Sequence, residues 1–229
     1  MASQTPGRII LSIGIILLLT GLLAACQTST PPTPTATPTP SPWIDVILND
    51  PDCAPPCWNG ITPGVTTMDE AWAIMQAEPG LIDLVYYGGE TSSANIDWAF
   101  SNADGLGSIY SSKTDYSTVY EICFYPTSSY FLFYLEEAIE YWGDPDFLYL
   151  RMGRGIGFFD ANLYYPESGI DLVSIYGRDP WYSERVEVLP DNGISSLCFS
   201  RPFPRDEDNS QWLDWEGYGT YKFDEGWIE

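Results

Sequence analysis

Histidine is absent from this chain of 229 residues, and lysine and arginine together number only 9 against 32 aspartates and glutamates. Without imidazole there is no Ser-His-Asp or Cys-His nucleophile system, no haem of the histidine-ligated kind and no histidine-containing zinc site. The scarcity of cations excludes a second group of functions. A net charge of −23 is repelled by phosphate backbones and by anionic headgroups, which argues against nucleic-acid binding and against a polybasic membrane contact. Carboxylate chemistry and oxygen-ligated calcium survive these exclusions, as does binding without catalysis. Charge of this size speaks for solubility and for a basic partner, not for a fold.

Charge is also missing from the N-terminus, where Arg8 is followed by an uncharged apolar run from Ile9 to Leu23. Residues 1–25 have the form of a secretory signal peptide, too short for a comfortable membrane span. The run closes on Leu23-Ala24-Ala25-Cys26, which resembles the bacterial lipobox, where the cysteine is acylated and becomes the first mature residue. That resemblance implies a lipid anchor, palmitate or a similar chain, on Cys26 and an extracytoplasmic location. The competing reading is an uncleaved membrane helix over residues 9–26. Residues 26–42 form a Thr/Pro-rich stalk, QTSTPPTPTATPTPSP after Cys26; in polyproline II form it spans about 50 Å.

From Trp43 onward the composition turns aromatic. Thr67-Met68-Asp69-Glu70 fits a capping box with acidic residues in the first helical turn. Met68, Ala71, Trp72 and Met75 then share one helical face, and Pro79-Gly80 ends the helix. Residues 81–87, 95–101, a short piece near Ile109 and residues 118–126 alternate in the manner of strands between Gly/Ser/Asn/Asp turns. A second helix is expected from Phe131 to Trp142, stopped by Gly143-Asp144-Pro145. Strand candidates follow at 147–152, 158–166, 169–177, 185–190 and 194–202, with Asp191-Asn192-Gly193 as a hairpin turn between the last two.

The two halves can be laid on one another, each a helix followed by strands and closing on a cysteine-bearing strand, EICFYP or SLCFSRP. The expected fold class is therefore α+β, a tandem repeat of a helical segment packed on an antiparallel β-sheet. Residues 43–126 form the first unit, and residues 127–229 form the second with a C-terminal aromatic segment. The alternative is one α+β domain that has two amphipathic helices.

GITPGVTTMDEAWAIM (60–75) and LEEAIEYWGDPDFLYL (135–150) resemble the helix-opening segments of small envelope lipoproteins of the SmpA/OmlA (BamE) type. Two such units in one chain resemble the architecture of the β-lactamase inhibitory proteins. That likeness implies helices on an antiparallel sheet whose open face binds a partner protein, in a non-enzymatic extracytoplasmic module.

Excluding Cys26 leaves Cys53, Cys57, Cys123 and Cys198, an even number that allows three pairings. The three residues between Cys53 and Cys57 do not match the two of a thioredoxin-like site, and an oxidising exterior favours disulfides over a four-cysteine zinc site. Cys53 with Cys57 and Cys123 with Cys198 is the preferred pairing, because the latter two occupy matching strands. Trp58 is expected to bury its apolar face in the domain. Glu136, Glu137 and Glu140 are candidates for carboxylate catalysis by number only and more simply form a solvated helix face. Asp206, Asp208 and Ser210 alternate as in a calcium loop, but Gln211 and Gly217 replace the glycine and glutamate an EF-hand needs. An irregular calcium site is the alternative there.

The chain has nine Trp and 16 Tyr, and rings with polar tips suit protein interfaces and sugar stacking. Trp212, Trp215, Tyr218 and Tyr221 are the candidate binding surface, with a cover over a sheet edge as the plainer reading. No catalytic residue, cofactor or metal is assigned. The expected function is a membrane-tethered, non-enzymatic interaction module for an envelope or extracellular protein, with no nucleic-acid partner. A carbohydrate-binding envelope protein is the first alternative and a carboxylate-based hydrolase the second.

Overall fold

A computed structural model describes residue 47 and residues 53–89, 92–101, 105–112, 116–127, 131–152, 159–176, 185–202 and 212–222. Cys26, the stalk and the acidic segment with Asp206, Asp208 and Ser210 lie outside the described residues.

The first described segment is the CAPPCWNG stretch. Its cysteines are joined, Cys53 to Cys57, and the backbone then folds back between Trp58 and Ile61 through two mutual hydrogen bonds of 3.0 and 2.8 Å. Asn59 and Gly60 hold the positive φ values, 50° and 77°, that a tight Asn-Gly turn demands. The turn brings Trp58 into the core at 4 % exposure.

Helix α1 (Met68–Ala77) starts where the sequence places it. Glu70 N–H donates to Thr67 Oγ1 at 3.2 Å and Thr67 N–H donates to Glu70 Oε2 at 2.9 Å, a complete capping box. The helix buries Met68, Ala71 and Met75. Four strands follow in antiparallel succession: β1 (Leu81–Gly89), β2 (Ser92–Phe100), β3 (Gly105–Ser111) and β4 (Val119–Pro126).

The second half departs from the expected helix at its start. Phe133 and Tyr134 form a short strand, β5, paired with Ile194 and Gly193, and helix α2 spans only Leu135–Trp142. Its first amides donate outward, Leu135 N–H to the Asn192 carbonyl at 2.8 Å and Glu136 N–H to the Pro190 carbonyl at 3.0 Å. Long-range contacts thus join the local one, in which Glu137 accepts the Tyr134 amide at 2.7 Å, in setting the helix start.

The remaining strands are β6 (Phe147–Met152), β7 (Phe159–Tyr165), β8 (Ile170–Tyr176), β9 (Arg185–Val188), β10 (Gly193–Ser200), β11 (Trp212–Asp214) and β12 (Gly219–Lys222). Residues 189–192 turn as expected, with Asn192 N–H donating to the Leu189 carbonyl at 3.1 Å. They do not close a hairpin, because β9 pairs with β12 while β10 enters the main sheet.

The expected α+β tandem repeat is overturned. Twelve strands and two helices make up the regular structure of the described residues, and ten strands run in one sheet of order β1-β2-β3-β4-β10-β8-β7-β6-β11, with β5 attached to β10. Helices of 10 and 8 residues are about 15 and 12 Å long, against about 40 Å across nine strands side by side. They cannot form the layer that an α+β class requires. The protein is a largely antiparallel β-structure with two short helices on it, and β4 and β10 join its halves into one sheet.

One face of that sheet is the core. Cross-strand partners point to the same face, so Ile96, Ile109, Ile122, Phe199 and Ile170 form one apolar row. Trp98, Gly107, Phe124, Leu197, Leu172, Leu163 and Leu148 form the next. Trp58 stacks on Trp98 with centroids 5.4 Å apart and meets Phe124 edge-on at 5.1 Å. Both helices contact this side, α1 through Trp72 against Tyr86 and α2 through Trp142 against Tyr165.

Candidate functional site: the open face of the sheet

The opposite face carries the residues between those of the core rows. One row reads Tyr87, Asn95, Tyr110, Glu121, Ser200. The next crosses the sheet as Val85, Asp97, Ser108, Cys123, Cys198, Asp171, Tyr164, Phe147, Asp214. A third runs Ile82, Ala99, Leu106, Tyr125. Apolar side chains are exposed along the β1–β3 part, with Ile82 at 46 %, Val85 at 40 %, Tyr87 at 52 % and Leu106 at 43 %. Large side chains left exposed side by side on a sheet are uncommon unless something binds there.

At the centre of this face Cys123 is bonded to Cys198. The two are direct partners of the β4–β10 ladder with Cα atoms 4.1 Å apart, the close approach of a non-hydrogen-bonded antiparallel pair. Glu121 lies next to them, its carboxylate and the two sulfurs all within 4.8 Å of one another. With both sulfurs in a disulfide, the trio offers no thiolate to a metal. Burial raises the Glu121 carboxyl above its ordinary range. Tyr125 is raised far more, by burial first and then by its hydrogen bond with Tyr110 and the nearby Glu121 and Asp97. Asp97 in turn accepts a hydrogen bond of 2.7 Å from the Ser108 hydroxyl. The centre of the face is thus a web of carboxyl, phenol and hydroxyl groups around a covalent cross-link.

The C-terminal aromatics do not form the single surface expected of them. Trp212 belongs to the far end of the open face, stacked on Tyr164 at 4.9 Å and tilted against Phe147 at 5.5 Å. Trp215, Tyr218 and Tyr221 form a separate group, with Trp215 stacked on Tyr221 at 6.0 Å and edge-on to Tyr218 at 5.9 Å. Tyr221 is buried at 8 % exposure, and its hydroxyl donates to the Gly217 carbonyl at 2.7 Å. Trp215 Nε1 donates to Asp144 at 3.2 Å. Trp215 therefore fastens the β11–β12 segment to the body through Asp144, Tyr221 packs within that segment, Tyr218 is exposed at its edge, and Trp212 joins the face.

Glu136, Glu137 and Glu140 are not brought together as acid and base. Glu137 accepts the Tyr134 amide at 2.7 Å at the start of α2, while Glu136 and Glu140 are exposed. The residues that sequence reasoning missed are those of the open face, above all Asp97, Glu121, Tyr110 and Leu106. Their signal in the sequence is strand alternation, which marks two faces without saying which strands adjoin. No protein-family model matches the chain, and no curated protein or solved structure matches it either.

Proposed function

We propose that the protein is a membrane-tethered, extracytoplasmic lipoprotein that binds another envelope or extracellular protein through the open face of its sheet, without catalysis. The observation that carries this reading is the β1–β3 part of that face, without a helix over it among the described residues and presenting Ile82, Val85, Tyr87 and Leu106 to solvent, beside a centre where Ser108, Cys123, Cys198 and Ser200 are buried. Exposed rows of this kind suit association with a second polypeptide, because apolar and tyrosine side chains supply most of the energy at a protein interface. Localisation rests on the apolar leader, on the likeness of Leu23 to Cys26 to a lipobox and on the Thr/Pro stalk behind it. No helix of the described residues is long and apolar enough to cross a membrane.

Two measurements test the reading separately. Metabolic labelling with an alkyne fatty acid is expected to mark the full chain and to miss a Cys26→Ala variant; equal labelling of both removes the anchor. In-cell crosslinking followed by purification of the tethered protein is expected to yield a discrete protein partner. Recovery of glycan alone overturns the protein-binding function in favour of carbohydrate binding.

A further inference from the structure

Strand β1 is one edge of the ten-stranded sheet, and among the described residues it pairs only with β2. An edge strand turns every second amide and carbonyl away from its neighbour, a row of unmet donors and acceptors that proteins normally guard with lysine, proline, a bulge or a cover. In LIDLVYYGG neither lysine nor proline occurs. The guard lies at the front of the strand, where the register shifts between Ile82 and Val85 and Asp83 holds a φ of 52°. Behind it Val85, Tyr86 and Tyr87 pair regularly with Asp97, Ile96 and Asn95, and all three are exposed, at 40, 36 and 52 %. Val85 and Tyr87 lie on the open face, while Tyr86 lies on the helix side and meets Trp72 of α1 edge-on at 5.6 Å. Residue types suited to a sheet thus stand in register, backed by a helix, with no strand beyond them among the described residues.

We infer that β1 takes up an extended segment of another protein as an added strand, a segment with apolar side chains beside Val85 and Tyr87 and no acidic residue. The inference rests on the protein-binding reading above and names how the partner is held. Main-chain bonds to residues 84–88 supply the affinity, and the side chains flanking Val85, Tyr86 and Tyr87 supply the selection. Alternate donors and acceptors at strand spacing are matched by a polypeptide backbone, not by a glycan or a lipid. A second copy of β1 is disfavoured twice over. Each chain brings −23 against the same sign, and antiparallel pairing about Val85 sets the Asp83 bulge of each copy against Tyr87 of the other, which breaks the regular stretch. Charge also selects among other proteins: an acidic segment is repelled on approach, and a neutral or cationic one is not.

A photocrosslinking residue is placed at Tyr87, or at Leu106 on β3, in the full chain in cells. Strands lie about 4.8 Å apart, so an added strand is within reach of position 87 and about 14 Å from position 106. Capture at position 87 of a segment with alternating apolar residues and no aspartate or glutamate is expected, with or without capture at 106 by the rest of the partner. Capture at 106 but not at 87 overturns strand addition and leaves binding through the face standing. A second copy of this chain or an acidic segment at 87 overturns the partner named here, and no polypeptide at either position overturns the protein-binding reading as well.

The captured segment is then synthesised with fluorescein and titrated against the full chain in an uncharged detergent, beside two versions N-methylated at its odd or its even amides. One edge of the segment faces β1, so one version is expected to bind at least about tenfold more weakly than the unmodified peptide and the other within about twofold of it. Equal effects of the two methylations overturn strand addition, as does failure of the unmodified peptide to bind.

Discussion

Trp98 lies over Gly107 of the neighbouring strand so closely that a Cβ at position 107 would collide with the indole ring. The glycine is there for the close approach, since an aromatic on one strand packs over a bare backbone on the next. Gly107→Ala is expected to displace Trp98 and the Trp58 stacked on it, at a cost of about 1–3 kcal/mol, seen as a lower thermal midpoint. An unchanged midpoint would mean that the indole moves aside freely.

Glu121, on the open face, makes a prediction of the opposite kind. Its folded-state pKa is raised above the ordinary 4.5 by burial. Protonation is therefore favoured in the folded chain, and the stability it contributes is full below about 4.5 and lost as pH rises through the higher folded value. Glu121→Gln removes that dependence. Thermal melts from pH 4 to pH 8 are expected to shift in favour of the variant as pH rises through the folded value and then to level off, and a gap independent of pH would contradict the assignment.

At the scale of elements, α1 and α2 show how far local pattern reaches. The α1 start was legible because every part of it lies within four residues: Thr67 and Glu70 cap each other, and hydrogen bonds donated by the Thr67 amide and hydroxyl lower the Glu70 carboxyl. Thr67→Ala is expected to cost about 1 kcal/mol, measured by chemical denaturation. A change within error would mean that the backbone bond from Met68 N–H to the Ser117 carbonyl, 2.7 Å long, holds the helix start unaided. The α2 start was not legible. Phe131 and Leu132 continue the helical spacing, yet Phe133 and Tyr134 pair with β10 and the 189–192 turn receives the first helix amides. The same turn looked like a hairpin because Asp-Asn-Gly favours reversal, and reversal occurs. The partner of β9 is nevertheless β12, whose four residues show no sequence signal strong enough to compete.

At the scale of the whole molecule, the two disulfides do different work although the preferred pairing holds for both. Cys123–Cys198 closes a separation of 75 residues, while Cys53–Cys57 closes one of 4. On the chain-entropy account the long link is worth about 4 kcal/mol and the short one about 2. Cys123→Ser with Cys198→Ser is therefore expected to lower stability about twice as much as Cys53→Ser with Cys57→Ser. Denaturant titration of the two double variants compares them, and the reverse order would show that the N-terminal clasp, not the β4–β10 seam, secures the fold. The seam also joins the β1–β4 meander to the rest of the sheet, so its loss reaches the open face on both sides.

What the sequence determined by itself was whatever depends on composition or on neighbours along the chain: the acidic balance, the exclusions that follow from having no histidine, the α1 cap, the positions of most strands and the burial of Trp58. The tertiary structure decided the fold class, the separation of Trp212 from Trp215, Tyr218 and Tyr221, and the existence of the open face. The reason is register. A strand's alternation says that two faces exist, but only pairing across the sheet brings Asp97, Glu121 and Asp171, far apart in sequence, onto the same one.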